Sequence, residues 1–155
     1  MNKQNQRQQI SMKGTGTIFF ISFVLMANLQ NSESKKMSIE EAKEALLPLQ
    51  KHCIAKVGAD PKMIDDAAKG IFASDWRLQC YFKCVMLNTK IMKNDMIVEK
   101  ALKNIIEAML LEEYVPPAMK AIEHCLPIVK KFKGCELAYE LAKCGYDYGA
   151  SSSFF

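Results

Sequence analysis

Cys80-Tyr81-Phe82-Lys83-Cys84 is the stretch on which the fold turns. Two cysteines four residues apart stand about one turn apart on the same face of a helix. Neighbours on one helix rarely meet disulfide geometry, so each must find a partner elsewhere in the chain. The other cysteines are Cys53, Cys125, Cys135 and Cys144. Cys135 and Cys144 are nine positions apart, roughly 13 Å of rise and half a revolution in a regular helix. A disulfide needs its Cα atoms within about 7 Å, which excludes that pair too. Six cysteines allow 15 pairings. Three contain the first excluded pair, three the second and one contains both, which leaves ten. The last helix is then bonded on two opposite sides, and the chain reads as a stapled all-α protein.

The 155 residues are about the length of one domain. Lys3, Arg7 and Lys13 precede an apolar run of 11 residues, Thr17 to Ala27 (TIFFISFVLMA). A bilayer crossing needs roughly 20 apolar residues. A basic region followed by a short apolar one reads instead as a secretory signal peptide, here 1–27, with cleavage as far along as 34. Cleavage after Ala27 removes three of the 21 basic residues and none of the 17 acids, leaving 18 against 17 and a net charge of +1. The basic surplus belongs to the leader, and no Lys/Arg cluster with interleaved aromatics suggests nucleic acid. All six cysteines follow the leader, and an even count behind a signal peptide means disulfides in an oxidising compartment. The intervals of 26, 3, 40, 9 and 8 residues do not make the close pairs that zinc prefers, and only two histidines are present.

Apolar residues recur at helical spacing along the rest of the chain, and no alternating pattern lasts long enough to compete. Ser38 and Glu41 make a capping box ahead of a first helix with the stripe Ile39, Ala42, Leu46, Leu49, Cys53 and Val57. Pro48 is expected to kink that helix rather than end it, and Gly58 to cap it. Asp60-Pro61 opens a short second helix whose apolar side is Met63, Ile64, Ala67, Ala68 and Ile71. Ser74 or Asp75 caps a third helix from Trp76 to about Thr89, followed by a loop from Ile91 to Asp95. The fourth carries Val98, Ala101, Leu102, Ile105, Ile106 and Met109. A short fifth covers Ala118 to Leu126 between Pro117 and Pro127. The last runs from near Cys135 to about Tyr146. The expected organisation is one domain of about six short helices over 35–147, with a tail at 148–155.

The pattern C-x26-C-x3-C-x40-C-x9-C-x8-C resembles the six-cysteine signature of the insect odorant-binding proteins, the general-odorant and pheromone-binding family. The x3 and x8 intervals are near-fixed in that family, and the stretch from Cys80 to Cys84 has its look. The resemblance spans Cys53 to Cys144. It implies the pairs Cys53–Cys84, Cys80–Cys135 and Cys125–Cys144, one of the ten sets left open above. By loop entropy each bridge contributes roughly 3–4 kcal/mol, which offsets packing given up to a cavity.

The resemblance also implies a pocket for a small apolar ligand; composition alone does not, because pockets and cores share residue types. The helical inner faces offer Leu46, Leu49, Met63, Phe72, Trp76, Met86, Leu87, Ile91, Met92, Met96, Ile105, Met109, Met119, Ile122, Leu137 and Leu141 as candidate lining. Six of the methionines fall between 63 and 119, and a Met-rich wall adapts to several ligand shapes. Ser74, Tyr81, Asn88, Thr89, Tyr114 and Tyr139 are candidate polar anchors, with Tyr139 expected on the exposed side of the last helix. Tails of this length cover or enter the site in the family, which makes Phe154 and Phe155 candidates for closing its mouth.

Catalysis finds no support. His52 and His124 each directly precede a cysteine and should turn away from the bridge beside them, about 100° round the helix. No acid–base constellation can be assembled from them, and bridged sulfurs are not nucleophiles. No cofactor or metal is expected. A saposin-like lipid- and membrane-interacting protein also has six cysteines, but typically with C-x2-C near its ends. A secreted helical signalling protein would have longer helices and fewer bridges. The expected role is a secreted extracellular carrier of odorants, pheromones or similar apolar molecules, without stable membrane insertion. A chemoreceptor or a second copy of the chain is the conceivable protein partner.

Overall fold

Leu78, Tyr81, Phe82, Val85 and Met86 carry the centre of the fold, all within 3 % of full burial. They lie on the helix Trp76–Asn88, which the computed structural model, describing residues 35–149, places as the third of six among the described residues. In chain order these are α1 (Ile39–Val57), α2 (Pro61–Ala67), α3 (Trp76–Asn88), α4 (Glu99–Met109), α5 (Val115–Val129) and α6 (Gly134–Asp147). A two-stranded hairpin, β1 (Met92–Lys93) and β2 (Met96–Ile97), joins α3 to α4. The chain is predominantly helical. The leader 1–27, its cleavage region to 34, and Phe154 and Phe155 lie outside the described residues.

The helix starts follow local chemistry. Ser38 Oγ accepts from the Glu41 N–H at 3.2 Å while the Glu41 carboxylate accepts from the Ser38 N–H at 2.9 Å, closing the capping box on α1. Gly58 takes the left-handed conformation at φ 67° and donates back to Ile54. Pro48 sits inside α1 without ending it. Asp60 caps α2, and Asp75, not Ser74, caps α3 by accepting from Arg77 and Leu78.

Three expectations about elements need correction. The loop after α3 is a hairpin: Asn94 (φ 50°) and Asp95 (φ 61°) form its two-residue left-handed turn. Asn and Asp tolerate that region, so the turn twists with the strands. Asp95 pairs with Lys83, and its carbonyl accepts from the Gly134 N–H, which ties the hairpin to α3 and the start of α6. The fifth helix is longer than Ala118 to Leu126. Pro116 and Pro117 lie in its first turn, where no N–H is needed, and Pro127 in its last turn forfeits one bond without stopping it before Val129. Helix α2 ends at Ala67, and Ile71 is 62 % exposed in the connection beyond it.

The three disulfides join Cys53 to Cys84, Cys80 to Cys135 and Cys125 to Cys144, with Cα atoms 5.7, 4.5 and 5.8 Å apart. They link α1 to α3, α3 to α6 and α5 to α6. Helices α2 and α4 carry no cysteine. Helix α4 is held by its packing and its two ends: Val98 N–H donates to Ile91 at 2.7 Å, and Met37 bridges to Leu110 just past the last turn.

Candidate functional site

Five helices leave a cavity of about 260 Å³ between them. Its wall follows helical periodicity. Ala42 and Leu46 come from α1, Val85 and Thr89 from α3 and its C-cap, with Ile91 just beyond. Leu102, Ile105, Ile106 and Met109 form an i, i+3, i+4, i+7 stripe on α4, followed by Leu110. Ala118, Ala121, Ile122 and Cys125 repeat that stripe on α5, and Leu141 with Gly145 closes the ring from α6. The space exists because Ala42, Ala118, Ala121 and Gly145 are small where larger residues would interdigitate.

Among the described residues no charged residue lines this cavity, and Thr89 is its one polar side chain. Thr89 Oγ1 donates to the carbonyl of Val85 at 3.0 Å. An occupant therefore meets hydrocarbon almost everywhere along the described wall, which suits apolar binding. A larger groove of about 410 Å³ runs along Met96, Leu126 and Leu137, but it is open to solvent and flanked by Glu99, Glu123 and Lys130. Among the described residues no cluster of His, Cys, Asp and Glu could hold a metal ion. No helix there is long and apolar enough to cross a membrane.

Of the lining residues named from sequence, the structure brings together Leu46, Ile91, Ile105, Met109, Ile122 and Leu141 around the cavity. Trp76 is 62 % exposed, with Arg77 over its ring at 5.5 Å. Leu87 is exposed as well: it stands eleven residues, about three turns, after Trp76 and so shares its stripe, away from Leu78 and Val85. Met86 and Met92 are buried in the core instead, while Leu49, Met63 and Met119 are half-buried against it. Met96 and Leu137 line the open groove. Phe72 stacks with Phe82 and meets Tyr139 and Tyr146 edge-on. The wall is consequently rich in Ile, Leu and Ala rather than Met, and Met109 is its one methionine. Ala42, Val85, Leu102, Ile106, Leu110, Ala118, Ala121, Cys125 and Gly145 had not been singled out as lining. The i, i+3, i+4, i+7 series on α5 was the available signal, hidden by the small size of its alanines.

The polar candidates separate in the same way. Tyr139 is buried at 5 % exposure, against expectation. Its hydroxyl donates to the Phe72 carbonyl at 3.0 Å, and burial, with Glu140 nearby, raises its pKa. Tyr81 is fully buried, its hydroxyl has no hydrogen-bond partner among the described residues, and burial pushes its pKa up to about 12. Ser74 and Asn88 are exposed, Tyr114 is half-buried, and none of these three lines the cavity. His52 and His124 are both exposed.

The fold has solved counterparts. Odorant binding protein 5 of Apis mellifera superposes with a TM-score of 0.67 at 21 % identity, covering 78 % of this chain and 99 % of its own. Odorant binding protein 4 of Chrysopa pallens gives 0.69 at 26 % identity, covering 77 % and 98 %. No curated protein sequence matches the chain. The profile of the PBP/GOBP family matches residues 35–148, so this six-cysteine, three-disulfide helical chain with an apolar cavity belongs to the PBP/GOBP family.

Proposed function

We propose that this protein is a secreted carrier that takes up a small apolar molecule in the cavity between α1, α3, α4, α5 and α6 and moves it through extracellular fluid. The observation that carries the reading is an apolar cavity with no charged wall residue among the described residues, in a family of small-ligand carriers. A compact aliphatic ligand of about eight carbons, at roughly 0.8 kcal/mol per buried methylene, gains about 6 kcal/mol from burial. That corresponds to a Kd in the tens of micromolar, and further contacts tighten it. The basic leader followed by an apolar run supports secretion.

The test is saturable displacement of N-phenyl-1-naphthylamine by aliphatic compounds. Ala121→Leu places a larger side chain in the cavity and should weaken binding at least tenfold. Met96→Ala, in the open groove, should leave it unchanged. Equal loss in the two variants would move the site to the groove. The tail is proposed to close the cavity mouth through Phe154 and Phe155. Gly145 lines the cavity two residues before α6 ends at Asp147, so the chain leaves the helix close to it. Deleting Ser151 to Phe155 should raise the probe off-rate several-fold; an unaltered off-rate removes the tail from the site.

A further inference from the structure

The three disulfides run in series through the helices around the cavity. Cys53–Cys84 joins α1 to α3, Cys80–Cys135 joins α3 to α6, and Cys125–Cys144 joins α6 to α5. Four of the five wall helices are thereby bonded into one frame. Helix α4 is the fifth and carries no cysteine, although Leu102, Ile105, Ile106 and Met109 all face the cavity from it.

The chemistry of α4 itself adds little to hold it. It has 11 residues, fewer than the roughly 12–15 at which an isolated helix becomes even marginal in water. Val98 at its start offers no side-chain acceptor to the N–H groups of the first turn. Helices α5 and α6 also lack such a cap, but disulfides hold both. The Glu99–Lys103 pair at 2.8 Å supports the helix. Lys100 in the first turn and Glu107 in the last oppose it, each at the end of the helix dipole that disfavours its charge. Two residues of α4, Leu102 and Ile106, are buried, where α3 buries six.

The two ends are tied differently. At the start, the Val98 N–H donates to the Ile91 carbonyl at 2.7 Å, and the hairpin before it is pinned to the frame. Asp95 pairs there with Lys83, next to Cys84, and its carbonyl accepts from the N–H of Gly134, next to Cys135, at 3.3 Å. At the far end the tie is the backbone bridge between Met37 and Leu110, to a segment ahead of α1 that no disulfide reaches.

We propose that α4 is the gate of the cavity: a ligand enters and leaves when this helix locally unfolds from its Met109 end, while the hairpin and the bonded frame stay in place. The proposal rests on the carrier reading above and concerns how that same cavity is loaded. Segments that open for ligands come from the least stable part of a fold, and α4 is the wall helix with the fewest supports. Freed from the frame, a helix this short does not persist, so opening melts it rather than swinging it out as a rod. Entry and exit use the same opening. Whatever stabilises α4 therefore slows both by one factor and leaves affinity unchanged.

The experiment uses the full chain with its disulfides formed and follows N-phenyl-1-naphthylamine by stopped flow. Val98→Ser supplies the missing cap, and Val98→Ala is its uncapped match. Association and dissociation should both be about fivefold slower in the serine variant, with Kd equal within about twofold. Lys133→Ser against Lys133→Ala makes the same comparison at the start of α6, inside the frame, and should move neither rate. Equal rates in the Val98 pair overturn the gate, and so does an equal slowing in the Lys133 pair. The Val98 ratio should persist in protein lacking Ser151 to Phe155; a ratio that collapses there assigns the gate to the tail instead. Amide hydrogen exchange tests the wild type without any variant. Amides of α4 should exchange at least about tenfold faster than those of α3 and α6, and should slow when the probe is bound. Protection of α4 equal to that of α3 overturns the proposal. A protein that does not bind the probe saturably overturns the carrier reading and the gate with it, whereas saturable binding with unmoved rates overturns the gate alone.

Discussion

Met37 and Leu110 form an isolated parallel bridge that ties the segment before α1 to a residue of the cavity wall. The Met37 N–H donates to the Met109 carbonyl at 2.6 Å, and the Leu111 N–H donates back to the Met37 carbonyl at 3.0 Å. Met109 and Leu110 are wall residues, so the segment before α1 holds part of the wall in place. Helix α4 carries no cysteine, so no disulfide holds it here, and the nearby Lys36–Glu112 ion pair at 3.1 Å is largely exposed and weak.

Met37→Pro removes the donor to Met109, whereas Met37→Ala trims only the side chain. The proline variant should lose about 1–2 kcal/mol of stability beyond the alanine variant. It should also release the bound probe several-fold faster in stopped-flow displacement. Matching off-rates in the two variants would show that the backbone bridge does not hold the wall.

Gly145 stands inside α6, lines the cavity, and a Cβ built there meets no other atom within 4 Å. Glycine in a helix interior is less favourable than alanine by roughly 0.5–1 kcal/mol. Gly145→Ala should therefore raise the midpoint of thermal unfolding. Gly145→Leu should fill cavity volume and weaken probe binding at least tenfold while the circular dichroism stays helical. Destabilisation by alanine would show that the space beside Gly145 is filled in solution.

Tyr81 keeps a buried hydroxyl without a partner among the described residues, a situation that costs roughly 1–3 kcal/mol. Removing only that oxygen, in Tyr81→Phe, should leave stability unchanged or raise it by about 1 kcal/mol. Because Tyr81 does not line the cavity, probe affinity should not move. Chemical denaturation of the variant is the check, and a clear loss of stability would reveal a partner for the hydroxyl.

Acid should act on the fold before it acts on the cavity. Among the described residues no titratable side chain lines the wall, and His52 and His124 are exposed, so affinity should change less than about tenfold between pH 7 and 5.5. Glu41 is held below its ordinary value of 4.5, chiefly by the Ser38 backbone N–H and then by Lys35. A carboxylate depressed in the folded state stabilises above its unfolded pKa, and that contribution disappears as pH falls through the folded value. The start of α1 should accordingly loosen below about pH 4.5. In Glu41→Gln the decline in thermal stability from pH 5 to pH 3 should be shallower than in the wild type. Equal slopes would assign the acid sensitivity to other carboxylates.

Local chemistry made much of the helical frame readable in the chain itself. The box of Ser38 and Glu41, Asp60 before Pro61, Asp75 before Trp76 and the left-handed Gly58 each act within a few residues, so their outcome depends little on the rest of the molecule. Likewise the four-residue step from Cys80 to Cys84 turns both sulfurs to one face whatever lies opposite, which is why the cysteine spacing pointed to the family and α-helical class. Tertiary structure decided which apolar stripe faced the cavity, which the core and which the solvent. Trp76 and Leu87 are as apolar as Ile106 and Leu110, yet the rotation of α3, set by its two disulfides and its packing on α6, leaves them outside. Tyr139 looked like a surface residue until the connection after α2 brought the Phe72 carbonyl to its hydroxyl. The cavity is a volume left between five helices. It depends on where Ala42, Ala118, Ala121 and Gly145 come to face one another, and spacing along one helix carries no information about the helix across from it.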